Sequence, residues 1–147
     1  MVKETIDNIE KSLIWYSENC EKATIIQLMR MSDKLSIWSV TLASIVAQSN
    51  GQYLIDYFSR KVHIADRTLF HMDKGDSKAK SEEIALLEAE SQELRKQEVD
   101  SQIAAQHTQL MLRQVNKVLD SVRQRISFLK MEYESQKFLN NTQNQKQ

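Results

Sequence analysis

The 147-residue chain contains no proline, only two glycines (Gly51 and Gly75) and one cysteine, and its 20 basic side chains balance 20 acidic ones. Proline and glycine punctuate turns, so a chain this poor in both is built from a few long elements. A composition led by Lys, Glu, Gln, Ala, Leu and Ser makes those elements helices and excludes a sheet protein.

Cys20 has no partner for an internal disulfide, which fits a reducing compartment. No uncharged apolar run approaches the roughly 18 residues that a membrane span requires, so no membrane association is expected. Glu4, Asp7 and Glu10 are foreign to a signal peptide, and a cytoplasmic location is expected.

A first helical segment is predicted from about Val2 to about Met29. Ile6, Ile9, Leu13 and Tyr16 form an apolar stripe that Ile25, Leu28 and Met29 resume. The pattern leaves open whether this segment breaks near Ser17–Cys20. Ser32 and Asp33 read as the N-cap of a second helix, from about Asp33 to about Met72. Leu35, Trp38, Leu42, Ile45, Ser49, Tyr53 and Tyr57 recur three and four apart along it, as in a coiled-coil seam. Asp73, Lys74, Gly75 and Asp76 form a turn in which Gly75 suits a left-handed cap.

The third helix is predicted from about Ser77 to about Leu139. Its seam is weak at Ile84, Leu87, Ser91 and Leu94, and strong at Met111, Val115, Val118, Val122, Ile126, Leu129 and Tyr133. Residues 140–147 are all polar and are expected to fray. The expected fold is therefore all-α, a single elongated domain over residues 1–147. Its core is a long helical hairpin (about 33–72 and 77–139) preceded by an N-terminal helical segment. A helix of about 60 residues reaches roughly 90 Å. A compact domain of this size is only about 30–40 Å across. The apolar strip left over is most simply covered by copies of the same chain, so a homo-oligomer is expected.

No catalytic constellation is present: there is no glycine-rich phosphate loop, no cysteine pair and no nucleophile elbow. His63, His71 and His107 lack the spacing of a helical zinc site. Glu82, Glu83, Glu88 and Glu90 lack the Glu-x-x-His pairing of helical-bundle iron sites. Neither a metal nor a cofactor is expected, and the chain reads as a binding protein rather than an enzyme.

The charges are segregated. Residues 81–100 hold seven acids against Arg95 and Lys96, and residues 111–130 hold Arg113, Lys117, Arg123, Arg125 and Lys130 against Asp120 alone. Between Tyr53 and Lys80, Tyr53, Tyr57, Phe58 and Phe70 are interleaved with Arg60, Lys61, Arg67, Lys74, Lys78 and Lys80. Rings that stack bases and cations that meet phosphates are what single-stranded nucleic acid requires. The same pattern also describes core rings with solvated flanks. In the hairpin, Tyr57–Lys61 is expected to face Glu88–Glu93, whose acids would neutralise Arg60 and Lys61. That ranks Arg123, Arg125 and Lys130, with Arg113 and Lys117, above Arg60, Lys61, Tyr57 and Phe58 as strand contacts.

Two stretches also carry a resemblance. Ile55, Asp56, Tyr57, Phe58 and Ser59 resemble the Leu-Asp-Tyr-Tyr-Ser run of the UvsY family of phage recombination mediators. Val122 to Lys130 (Val-Arg-Gln-Arg-Ile-Ser-Phe-Leu-Lys) is similar to that family's Ile-Lys-Ser-Arg-Gly-Phe-Ala-Ile-Lys, with Leu119-Asp120 matching the Leu-Asp just before it. Val99-Asp100 has a counterpart upstream. The order agrees over roughly residues 53–138, with a spacing longer by about three helical turns. Gln52 and Leu54 are neutral where the family is basic, so Arg60 and Lys61 would substitute, and Ile126 stands at the family's glycine. The resemblance implies a small helical oligomer, a ring, that binds single-stranded DNA and helps load a RecA-like recombinase onto strands coated by a single-strand binding protein. It also implies a phage source and a host-cell cytoplasm. The alternative on the residues alone is a coiled-coil scaffold or adaptor with no nucleic-acid role.

Overall fold

The structure, a computed structural model, describes residues 2–144, with side chains over 4–138. It is all-α. Four helices follow in chain order: α1 (Val2–Asn19), α2 (Ile25–Asp73), α3 (Lys78–Leu87) and α4 (Ala89–Asn144). The expected long hairpin is α2 against the α3–α4 arm. Of the polar tail, 140–144 continues α4, and 145–147 lies outside the described residues.

The helix boundaries have local causes. Asn19 ends α1, its side-chain amide donating to the Trp15 carbonyl at 2.8 Å. Thr24 and Gln27 then form a capping box. The Thr24 hydroxyl accepts the Gln27 amide at 3.3 Å, while the Gln27 side-chain carbonyl accepts the Thr24 amide at 2.9 Å. Hence α2 starts at Ile25, and the N-cap expected at Ser32–Asp33 is overturned. Ser32 lies inside the helix, where its carbonyl accepts the Ser36 hydroxyl at 2.8 Å. Gly75 terminates α2 as expected, at φ +98°. Its amide bonds the Met72 carbonyl at 2.9 Å and the Asp76 amide reaches the His71 carbonyl at 3.3 Å, the paired bonds of a Schellman cap.

The third predicted helix is interrupted. Glu88 is extended (φ −61°, ψ 141°) between α3 and α4. Its carbonyl accepts the Gln92 amide at 3.1 Å, so it serves as the N-cap of α4.

The chain groups into two compact units, Met1–Leu42 with Met111–Gln147, and Ala43–Leu110. The first unit packs α1, the start of α2 and the second half of α4. Its interior is apolar: Ile9, Leu28, Leu35, Leu42, Val115 and Val122 are all fully buried. Polar bonds fix the register at the edges of this unit: Tyr16 of α1 with Ser121 of α4 (2.9 Å), where the two helices run parallel, and Ser39 of α2 with Asn116 of α4 (2.6 Å), where they run antiparallel. The second unit packs the rest of α2 against α3 and the start of α4. Its interior is small and polar, with Thr68, Ser81, Ala85, Ser91, Glu98, Ala105 and Thr108 buried.

The stability of the first unit therefore rests on ordinary apolar burial. Leu35→Ala, at a fully buried site, should cost about 2–5 kcal/mol by urea denaturation. Ile37→Ala, 66% exposed, should change it by under about 0.5 kcal/mol. Equal losses from both would mean that the face carrying Ile37 is also packed.

Candidate nucleic-acid interface

Tyr57, Phe58, Arg60 and Lys61 lie on α2 within the second unit. The Arg60 guanidinium is not free for a phosphate. It is 14% exposed and pairs with Glu98, whose carboxylate also accepts Arg95 Nη1 at 3.0 Å. Burial pushes the Glu98 carboxyl up, but the hydrogen bonds from Arg60 and Arg95 outweigh it and hold the group below the usual carboxylate range.

A second ion pair lies further along the same seam. Arg67 makes two parallel hydrogen bonds to Glu88, at 2.6 and 2.7 Å, and His71 Nε2 lies 2.9 Å from the same carboxylate. The bonds from Arg67, then that to His71, draw the Glu88 carboxyl down to about 2. The register expected for this hairpin is thus corrected: Arg60 faces Glu98, and Glu88 meets Arg67 and His71. The same offset holds where Glu88 meets Arg67 and His71 as where Glu98 meets Arg60, so it is set before Glu88, and each α2 residue meets a later position on the returning arm than counting from Gly75 gives.

Lys61 is exposed, with its ammonium 5.6 Å from the Tyr57 ring centroid. Tyr57 is half-buried between Tyr53 (6.3 Å) and Phe58 (5.3 Å), and Phe58 is 59% exposed.

The later bases lie on α4 in the first unit. Arg113, Lys117, Arg123 and Lys130 are exposed, and among the described residues none forms an ion pair. They do not share one face. Arg113 and Lys117 are one turn apart, and Arg123 and Lys130 two turns apart on a different side of the helix. Arg123 reaches the Ser36 hydroxyl at 3.5 Å. Arg125 points elsewhere: it is half-buried, with its guanidinium 5.4 Å from the Phe128 ring and Nη2 3.4 Å from the Glu21 carbonyl. Its Nε is buried without a partner.

The same unit holds a place that no sequence motif marks. Ser12, Trp15, Gln27, Arg30, Met31 and Lys34 line a groove of about 270 Å³ between α1 and α2. Arg30 and Lys34 are one turn apart, exposed, and in no ion pair among the described residues. The turn at residues 20–24 brings Trp15 beside them, and no spacing along one helix could have signalled this.

Among the described residues no cluster of His, Cys, Asp or Glu could hold a metal ion, and no helix is long and apolar enough to cross a membrane. Comparison with protein-family models, with curated proteins and with solved structures returns no match.

The lowered Glu88 carboxyl sets a pH dependence. A depressed pKa contributes stability that is complete above the unfolded value, 4.5, and is lost as pH falls from there toward about 2. Thermal unfolding followed by circular dichroism should show the midpoint falling across that window. Glu88→Gln should lower the midpoint at neutral pH and flatten this part of the acid limb. A variant with an unchanged acid limb would show that the pair contributes nothing to folding.

Proposed function

We propose that the chain is a single-stranded DNA-binding recombination mediator that works as a homo-oligomer in the cytoplasm, helping to load a RecA-like recombinase onto strands coated by a single-strand binding protein. It does so without covalent chemistry. The observation that carries the DNA-binding part is the division of the cations. Arg60, Arg67 and Arg95 are held by Glu98 and Glu88. Arg113, Lys117, Arg123 and Lys130 stand exposed on α4 without an ion pair among the described residues.

Unpaired cations at one- and two-turn spacing suit a phosphate backbone. The Trp15–Arg30–Lys34 groove of the same unit adds a ring beside two further cations. The recombination role rests on the resemblance of 55–59 and 122–130 to the UvsY family. Assembly into an oligomer would multiply a few weak phosphate contacts per copy into a continuous track. One observation favours a coiled-coil scaffold instead: the exposed apolar face that α2 carries in the second unit.

Fluorescence anisotropy with a labelled single-stranded oligonucleotide decides between these. Affinity should fall steeply with salt and vary little with sequence. Arg123→Ala and Lys130→Ala should each weaken binding and lower the slope of log K against log salt by about 0.7 for each phosphate no longer neutralised. Lys96→Ala, an exposed base of the second unit, should leave both unchanged. No binding at low salt would remove the DNA-binding function and leave the scaffold.

A further inference from the structure

Within the second unit α2 has two working faces. Tyr53, Tyr57, Arg60, Ile64, Thr68 and His71 are buried or half-buried. On the opposite side lie Ile55, Phe58, Val62, Ala65, Leu69 and Met72, all exposed, the five large ones by 59, 59, 60, 60 and 39%. These six are spaced three, four, three, four and three, and at 3.6 residues per turn they fall within an arc of about 100°. That is an unbroken heptad seam with Ile55, Val62 and Leu69 at a and Phe58, Ala65 and Met72 at d. The inward face of this stretch carries the ions and the outward face carries none, the reverse of a helix whose outer side is meant for water.

We infer that this outer face of α2 pairs with the same face of a second copy of the chain, the two helices parallel and in register. The flanking charges select the occupant and its direction. Lys61 stands at g on one edge of the seam and Asp66 at e on the other. Both are exposed, and neither forms an ion pair among the described residues. In a parallel two-stranded coil a g residue meets the e residue five positions further along the other helix. Lys61 of each copy then meets Asp66 of the other, twice by symmetry. An antiparallel pair would instead set lysine against lysine and aspartate against aspartate. Isoleucine and valine at two of the three a positions suit two strands. Leu86 of α3, 46% exposed on the wall of a groove it shares with Leu69 and Met72, widens the apolar surface. Phe58 is then a packing residue rather than a platform for bases.

The pairing rests on the homo-oligomeric part of the proposed function and gives it a surface and a direction. It is tested with full-length chain carrying Cys20→Ser, so that every disulfide reports an introduced cysteine. Ile55→Cys and Met72→Cys are made separately. Both sites are exposed, so the fold is retained, and circular dichroism checks it. Each variant should form an interchain disulfide with itself under mild oxidation. In sedimentation equilibrium, Lys61→Glu should weaken self-association by about fivefold, as expected for two exposed pairs. The double change Lys61→Glu with Asp66→Lys should restore it.

Disulfides that form only when the two cysteine variants are mixed would mean an antiparallel pair and overturn the proposal. An oligomer with no disulfide and no response to the charge changes would overturn it too, leaving the homo-oligomer built on another surface. A monomer at micromolar concentration would overturn the pairing together with the homo-oligomer, whatever the oligonucleotide measurement gives.

Discussion

The Arg67–Glu88–His71 cluster governs the geometry of the second unit. A carboxylate held by two parallel bonds from a guanidinium and a third contact to an imidazole has little freedom of position. Glu88 meets them from an extended residue, and the helix is broken there. Nothing local demands the break, because Leu86, Leu87, Glu88 and Ala89 are all good helix formers. Its cost is offset by the ion pair and by the capping bond from the Gln92 amide to the Glu88 carbonyl. Ten residues on, Glu98 repeats the device with Arg60 and Arg95. Two buried or half-buried carboxylates thereby fix which turn of α2 lies against which turn of the returning arm. A seam of Thr68, Ser81, Ala85 and Ser91 could not do this by apolar packing.

The two units solve the register problem differently, and this decides what the sequence can disclose. In the first unit the buried residues Leu28, Leu35, Leu42, Met111, Val115 and Val122 are large, apolar and periodic, so the seams are visible as patterns. The Gly75 turn is legible for the same kind of reason, since glycine is the residue that tolerates a left-handed backbone. The start of α2 is not, because Ser32–Asp33 resembles a cap, whereas the reciprocal Thr24–Gln27 bonds are the cap. In the second unit the pairing partners are Arg, Glu and His, which periodicity treats as surface. By sequence Glu88 accordingly reads as one of the acids opposite Arg60 and Lys61, and Glu98 only as one of the seven acids of residues 81–100. Their burial and the break at Glu88 come from contacts distant in sequence, and only the folded hairpin contains them.

Once those carboxylates are assigned to the interior, the outer face of α2 in that unit takes on a different meaning. A helix whose inner side is occupied by ions gains little hydrophobic stabilisation from its own chain. Ile55, Phe58, Val62, Leu69 and Met72 keep much of their apolar surface exposed. The aliphatic and aromatic side chains of that face stand in unbroken a/d order, with a lysine and an aspartate on opposite edges, and this is the surface on which the proposed pairing of two copies rests. The seam read along the second helix through Tyr53 and Tyr57 is the face closed within the chain, and the row from Ile55 to Met72 is a second apolar face of the same helix, left open.

The same division of labour bears on a chain whose net charge is zero. Neutrality of the whole conceals where the unpaired charge lies. Within the second unit, all three arginines are held in fixed pairs with Glu88 and Glu98. In the stretch of α4 belonging to the first unit, four exposed bases have Asp120 as their only acidic neighbour between residues 111 and 130. A polyanion interacts with local field rather than with net charge, and charges locked in fixed pairs contribute little beyond about a Debye length, roughly 10 Å. Arg113, Lys117, Arg123 and Lys130 take no part in such pairs among the described residues. One arrangement of ion pairs thus fixes the helix register of one unit, while the exposed bases of α4 in the other stand outside it.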